Sequence, residues 1–458
     1  MTDLAMWTAG PGLGWTLGAT GAAVAVAIGT RPRTRASWAL LAAVPVLAVW
    51  ATLRTSPWLL APDLIAVNLC LVLAATLAVR GRWFDRSLLR YVFVAFELVE
   101  SAVVGPIWAS AALRRTRAHG ASAEGGESPK RDWTGTVLGI VLAVPIMIVL
   151  IVLLASADAV FASFFDVTEQ LAPAGRHLLF LGGGALALAA LLRQGASTVE
   201  PDLGDAPRVR ATVGNIVLGG LVVVFGLYAA SRLLALTGMA ERIATTKGLT
   251  WAEYARSGFF QLLAVATIAL VVLLGVIGWS AEGSSRQSRD RRVLGLVTVA
   301  LVIGIVVDAI ARLRGYEAAY GLTMLRLYSL AFAAWIGVVF VAVGGAYVTG
   351  YRGRRWLAPT LATMVLVGIL SMNVIDPEAV VARRNLTQPT KVEETDRGYL
   401  AESLTDDALP VIAEHLDEMT DDERAGVLRS LCDTDRPGGW LSYNRSRHAA
   451  TAAAEQWC

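Results

Sequence analysis

Residues 133–155 read WTGTVLGIVLAVPIMIVLIVLLA, a run without one charged side chain. A helix rises about 1.5 Å per residue, so about 20 such residues cross the ~30 Å hydrocarbon layer of a bilayer. One run of this kind is compatible with a buried core helix. This chain has ten long apolar runs, five of them with a single charged residue, at residues 13–29, 37–53, 59–79, 133–155, 174–192, 211–236, 258–280, 293–311, 324–349 and 357–375. That repetition excludes a soluble fold. Composition agrees, because only 17% of the 458 residues are charged, where soluble chains carry about 25%. The runs do not alternate in polarity, so a membrane β-barrel is excluded too. The expected architecture is all-α, a polytopic bundle of transmembrane helices.

Basic residues orient the spans, because cytoplasmic loops are enriched in Arg and Lys. One set of loops holds Arg31, Arg33 and Arg35; nine basic residues from Arg80 to Arg131; Arg193, Arg208 and Arg210; Arg286, Arg289, Arg291 and Arg292; and Arg352, Arg354 and Arg355. The alternate loops hold far fewer, and residues 156–172 hold none. Both termini are therefore expected outside the cytoplasm of a multi-pass protein in the plasma membrane. No basic n-region precedes residues 13–29, so that run reads as a retained span rather than a cleaved signal. Residues 91–113 carry Glu97, Glu100 and Gly105-Pro106 between two basic clusters. Their simplest reading is an interfacial or re-entrant helix on the cytoplasmic side, the alternative being an eleventh span with two buried carboxylates. Residues 114–132 read as a polar cytoplasmic loop, and the membrane domain covers 1–375.

Ionisable side chains in a bilayer need a partner or a purpose. Asp63, Asp158, Arg232, Asp308, Arg312, Arg326 and Asp376 all fall at span ends on the predicted outer face, while Asn68 is the main polar side chain near the midplane. The group reads either as a polar vestibule for a charged ligand or as interhelical ion pairs and snorkelling side chains. Asp308 and Arg312 have i,i+4 spacing on one helix face. In YGLTMLRLY (320–328) Thr323 is a plausible N-cap, which leaves Arg326 in a first turn where the helix dipole disfavours a cation. Arg326 then needs an anion: Asp308 is the favoured partner, with Glu317 or a lipid head group as alternatives. In IDPEAVVARRN (375–385) Asp376 caps, Pro377 takes the first helical position, Glu378 suits the dipole, and Arg383 and Arg384 project near the membrane surface. Asp158, Asp308, Arg312, Arg326, Asp376 and Arg383 are the candidate vestibule or ion-pair residues. GLTWAEYARSGFF (248–260) has capping-box spacing from Thr250 to Glu253 and reads as an interfacial helix that leads into a span.

Residues 376–458 change character, with 17 acids against nine basic residues. They read as a small extracytoplasmic tail of three or four short helices, small for an independent core. Thr420 and Glu423 have capping-box spacing. Cys432 and Cys458 both fall in this tail, where an oxidising location permits a disulfide; two free thiols are the alternative. Cys70 reads as a packing residue. Four histidines stand in no ligand spacing, and no phosphate loop or nucleophile elbow occurs. No catalytic, metal or cofactor site is expected, and no nucleic-acid partner.

LLASADAVF (153–161), GLTWAEYARSGFF (248–260), YEAAYGLTMLRLY (316–328) and MNVIDPEAVVARRNL (372–386), with GYLAESLTDDALP (398–410) and WLSYNRSR (440–447), resemble a bacterial integral-membrane family. It is known as domain of unknown function 4153, with a close relative numbered 4173. The resemblance spans roughly residues 135–450 and implies the class without an activity. The sequence thus supports a non-catalytic scaffold, sensor or signalling partner. Its partners would be membrane lipids and a protein met by the acidic tail, and its oligomeric state stays open. A transporter or lipid-linked-substrate handler using the outer vestibule is the alternative.

Overall fold

The computed structural model describes residues 11–30, 35–80, 133–158, 161–162, 164, 210–235, 251–279, 284–350, 353–387, 399–400, 403–432 and 439–458. Among these residues there are helices and no strand. Up to residue 375 the described helices are α1 (Leu13–Thr30), α2 (Arg35–Ala48), the short α3 (Trp50–Leu53), α4 (Pro57–Arg80), α5 (Trp133–Ala157), α6 (Ala211–Leu234), α7 (Trp251–Trp279), α8 (Ser285–Tyr320), α9 (Met324–Thr349) and α10 (Gly353–Ile375). The tail adds α11 (Pro377–Thr387), α12 (Leu409–Ala413), α13 (Asp421–Leu431) and α14 (Arg445–Trp457). Seven of the described helices are long and apolar enough to cross a membrane, and Leu13–Gly29 and Leu142–Ala157 are shorter apolar stretches. The expected span 174–192, the segments 91–113 and 114–132, and Thr250 lie outside the described residues. Residues 251–279 form one continuous helix, so the Trp251–Phe260 stretch runs into its span without a break.

The chain divides into two compact units, residues 1–86, 314–332 and 361–458, and residues 87–313 and 333–360. In the first, α1, α2 and α4 pack through Ala23, Leu41, Val44, Ala66, Val67 and Ala74, with Leu366, Ile369 and Leu370 of α10 against them. Alanines let helices approach closely where lipid offers no hydrophobic drive to associate. Cys70 is buried in this cluster. A second cluster of the same unit joins Leu322 and Met324 to Val381, Ile412, Leu416 and Val427 of the tail. The tail is therefore built onto the start of α9 rather than tethered to it. Residues 409–419, amphipathic in sequence, break into α12 and a 3-10 turn at Leu416–Glu418.

In the second unit α5 packs against α6 and α7. Leu150, Leu218, Leu221, Phe225, Leu262 and Val302 have no exposure worth the name. Other large apolar side chains face outward, among them Val223, Val307 and Val341 at 60% exposure or more. Such faces are uncommon on soluble proteins and suit contact with lipid.

Candidate functional site

Four of the charged side chains singled out in the sequence meet in the second unit. Asp158 follows the last turn of α5, where its backbone N–H still donates to Leu154 O at 3.0 Å and its Oδ1 accepts from Phe161 N–H at 3.0 Å. Arg232 lies on the last turn of α6, with Tyr228 one turn before it. Asp308 and Arg312 share a face of α8. Arg232 donates to Asp158 Oδ2 at 2.9 Å and to Asp308 Oδ1 at 2.6 Å. Arg312 donates to the same Asp158 oxygen at 2.7 Å, to Asp308 Oδ2 at 3.1 Å and to Ala157 O at 2.7 Å. The Tyr228 hydroxyl donates to Asp308 Oδ2 at 2.8 Å. Among the described residues, two carboxylates thus face two guanidiniums in one net.

Burial makes that balance consequential. Asp158 is 1% and Arg312 7% exposed, so either charge alone would be left in a medium that solvates it poorly. A side chain could not enter this corner at α7. A Cβ on Gly258 would overlap Arg312 Nη1 and stand 2.7 Å from Ala157 O. Close approach of α7 to the net requires glycine there.

Among the described residues Arg326 takes no carboxylate. Its Nη1 donates to Tyr320 O at 3.1 Å and Gly321 O at 2.5 Å, and its guanidinium lies 4.5 Å from the Tyr316 ring centroid. Asp308, its expected partner, is committed to Arg232, Arg312 and Tyr228. The anion that the dipole argument demanded is the negative end of the preceding helix, α8. Gly321 makes this possible at φ 78°, closing α8 with a left-handed residue. Asn385 then braces the turn, donating to Leu322 O at 2.7 Å and accepting from Leu322 N–H at 2.8 Å. Thr323 accepts from Arg326 N–H at 3.4 Å, as an N-cap does. Arg384 pairs with Glu317 at 3.4 Å, and Arg383 is exposed.

Asp376 belongs to a third arrangement, in the first unit. It caps α11 by accepting from Ala379 N–H at 3.4 Å, adopts φ 58°, and pairs with Arg54 at the turn between α3 and α4. Tail residues absent from the sequence-based candidates complete the clamp. Asp407 accepts from Thr55 N–H at 2.9 Å and Ser56 N–H at 3.0 Å, placing a carboxylate at the N-terminus of α4, where the dipole favours it. Asn444 donates to Ala51 O at 3.0 Å and Arg54 O at 2.7 Å, and Ser446 to Leu53 O at 2.9 Å. Glu378, expected only to complement the α11 dipole, is buried and accepts from Thr405 N–H and Oγ1 at 2.6 and 2.8 Å. Burial raises the Glu378 carboxyl above its ordinary range, while the bonds from Thr405 oppose the shift. Burial likewise raises Asp376 against the pull of Arg54. Cys432 and Cys458 are joined by a disulfide that ties the end of α13 to the end of α14.

An open pocket of about 810 Å³ lies at the start of α8, lined by Asn215, Arg286, Arg289 and Asp290 among others. Ser284 and Gln287 cap that helix reciprocally, at 3.0 and 3.3 Å. Among the described residues no three His, Cys, Asp or Glu side chains are grouped so as to hold a metal ion.

A family model described as a domain of unknown function (DUF4153) matches residues 41–415. The match begins well before residue 135, where the sequence resemblance was placed, so α2 and α4 belong to the shared part. No match is found among curated proteins or among solved structures.

Proposed function

The chain belongs to the DUF4153 family, a domain of unknown function, and we propose for it a non-catalytic role as a multi-pass protein of the bacterial cell membrane. In this reading it is a scaffold, sensor or signalling partner that displays its acidic helical tail outside the cytoplasm to another protein. What supports the reading is the clamp of Asp407, Asn444 and Ser446 on the turn at Ala51–Ser56. A tail bonded to the helix ends of the membrane domain is presented in one orientation, as a docking platform needs to be. The disulfide at Cys432–Cys458 accords with an oxidising compartment for that tail, and the loop charges support the same outward orientation of the termini. The transporter alternative requires charged groups free to receive a cargo at the outer vestibule. Asp158, Arg232, Asp308 and Arg312 instead satisfy one another.

The test undocks the tail without touching the spans. A chain carrying Asp407→Ala and Asn444→Ala should still accumulate in the membrane but fail to complement a deletion strain. A photo-crosslinker at Trp440, which is 69% exposed, should capture one defined protein in the wild-type chain and lose it in the variant. Full complementation by the undocked variant, or solute flux through proteoliposomes that Asp308→Asn abolishes, would displace this reading in favour of transport.

A further inference from the structure

Asp63 takes no part in the tail clamp, yet it is an acid buried inside a membrane-type helix. It is 4% exposed and is the seventh residue of α4, about 9 Å along the helix axis from Pro57. Its Oδ1 accepts from Asn373 Nδ2 at 3.0 Å. Its Oδ2 is buried and, among the described residues, has no partner. Asn373, fully buried on α10, repeats the pattern. Its Nδ2 donates to Asp63 and to Ile369 O at 3.1 Å, and both partners are acceptors, which fixes the orientation of the amide. Its Oδ1 is then an acceptor without a donor. The Tyr328 hydroxyl is a third buried oxygen that has no partner among the described residues, and Tyr328 lies within electrostatic range of Asp63.

Among the described residues no cation nearby is free to answer this charge. Arg54 donates to Asn373 O at 3.2 Å and pairs with Asp376. Glu378 and Asp407, also within range of Tyr328, add negative charge. On the packed helices, α1 carries no titratable side chain, and α2 carries only Arg35, at the end of α2 remote from Ala48. In α10 the arginines are Arg354 and Arg355, about 27 Å of helix before Asn373. On α9, Arg326 is held by Tyr320 and Gly321.

A carboxylate oxygen and an amide oxygen cannot satisfy each other, and a lone buried carboxylate costs several kcal/mol. A single positive charge between them resolves both deficits. Glu378 is already engaged by the Thr405 donors and Asp407 by those of Thr55 and Ser56, so among the described residues the unmatched charge is the single one of Asp63. We propose that Asp63 and Asn373, with the Tyr328 hydroxyl, bind one small monovalent cation, either a proton or an alkali ion.

The test uses the full-length protein in detergent at constant ionic strength, with choline as the inert cation, and follows the thermal unfolding midpoint. In one arm Na⁺ replaces choline at fixed pH; in the other the pH is lowered without Na⁺. The wild-type midpoint should rise in at least one arm and the response should vanish in Asp63→Asn, whose neutral amide needs no cation and supplies the missing donor. A Na⁺ response identifies the alkali ion, and a pH response alone identifies the proton. Asn373→Ala keeps the carboxylate but removes one oxygen, and should move the titration midpoint by about tenfold or more. Wild type and Asp63→Asn titrating alike in both arms overturns the proposal. So does an Asp63→Asn chain that fails to fold, since an isosteric amide should be tolerated at a site that needs only charge balance.

Discussion

Replacing Arg312 by Met removes one guanidinium from a balanced set of four charges while keeping most of the side-chain volume. Asp158 then loses its bond at 2.7 Å, Asp308 its bond at 3.1 Å, and Ala157 O its donor at 2.7 Å. Among the described residues the two carboxylates then keep one guanidinium, that of Arg232, and Asp158 is 1% exposed. Breaking a buried pair on one side costs about 3–5 kcal/mol, against a total stability of about 5–15 kcal/mol for a typical domain. Arg312→Met should therefore lose about a fifth of the stability or more. The measurement is equilibrium unfolding in mixed micelles, followed by tryptophan fluorescence. Adding Asp308→Asn restores the match between Asp158 and Arg232, and the double variant should recover about 1–3 kcal/mol. Suppose instead that Arg312→Met unfolds within about 0.5 kcal/mol of wild type while failing to complement a deletion strain. The net would then not be structural, and Arg312 would belong to a ligand site.

Gly258→Ala should destabilise by about 1–3 kcal/mol in the same assay, because its Cβ intrudes on Arg312 and on Ala157 O. The folded chain holds the Glu378 proton more tightly than the unfolded chain does, because burial raises that carboxyl. The contribution of Glu378 is thus full in acid and shrinks as pH climbs above about 4.3, where an ordinary glutamate ionises. Glu378→Gln should flatten that decline in pH-dependent melting. Reduction of the Cys432–Cys458 disulfide, which spans a sequence separation of 26, should cost the tail about 3 kcal/mol. Limited proteolysis with and without reductant reads this as faster cleavage within residues 409–458.

Local signals were legible where the physics is local. Thr323 caps α9 and Asp376 precedes the Pro377 start of α11, because a cap and its helix lie within four residues of each other. Asp308 and Arg312 pair as their i,i+4 spacing suggests. The partner of Arg326 was misjudged because a carboxylate was sought, whereas the available anion was the carbonyl end of α8, delivered by the positive φ of Gly321. A glycine ahead of a capping threonine was the one clue in the chain.

The lengths and polarity of the apolar runs determined by themselves that the described part of this chain is helical, with helices long and apolar enough to cross a membrane, because burial of a backbone in hydrocarbon depends on each helix alone. The tertiary structure alone decided which polar groups meet. Asp158 reaches Arg312 across 154 residues, Arg54 reaches Asp376 across 322, and Asn444 reaches Ala51 across 393. Nothing in the neighbourhood of Asp407 or Asn444 marks either as the cap of a helix hundreds of residues away. Such pairings follow from how helices pack, and packing depends on the whole surface of each helix rather than on any short stretch of it.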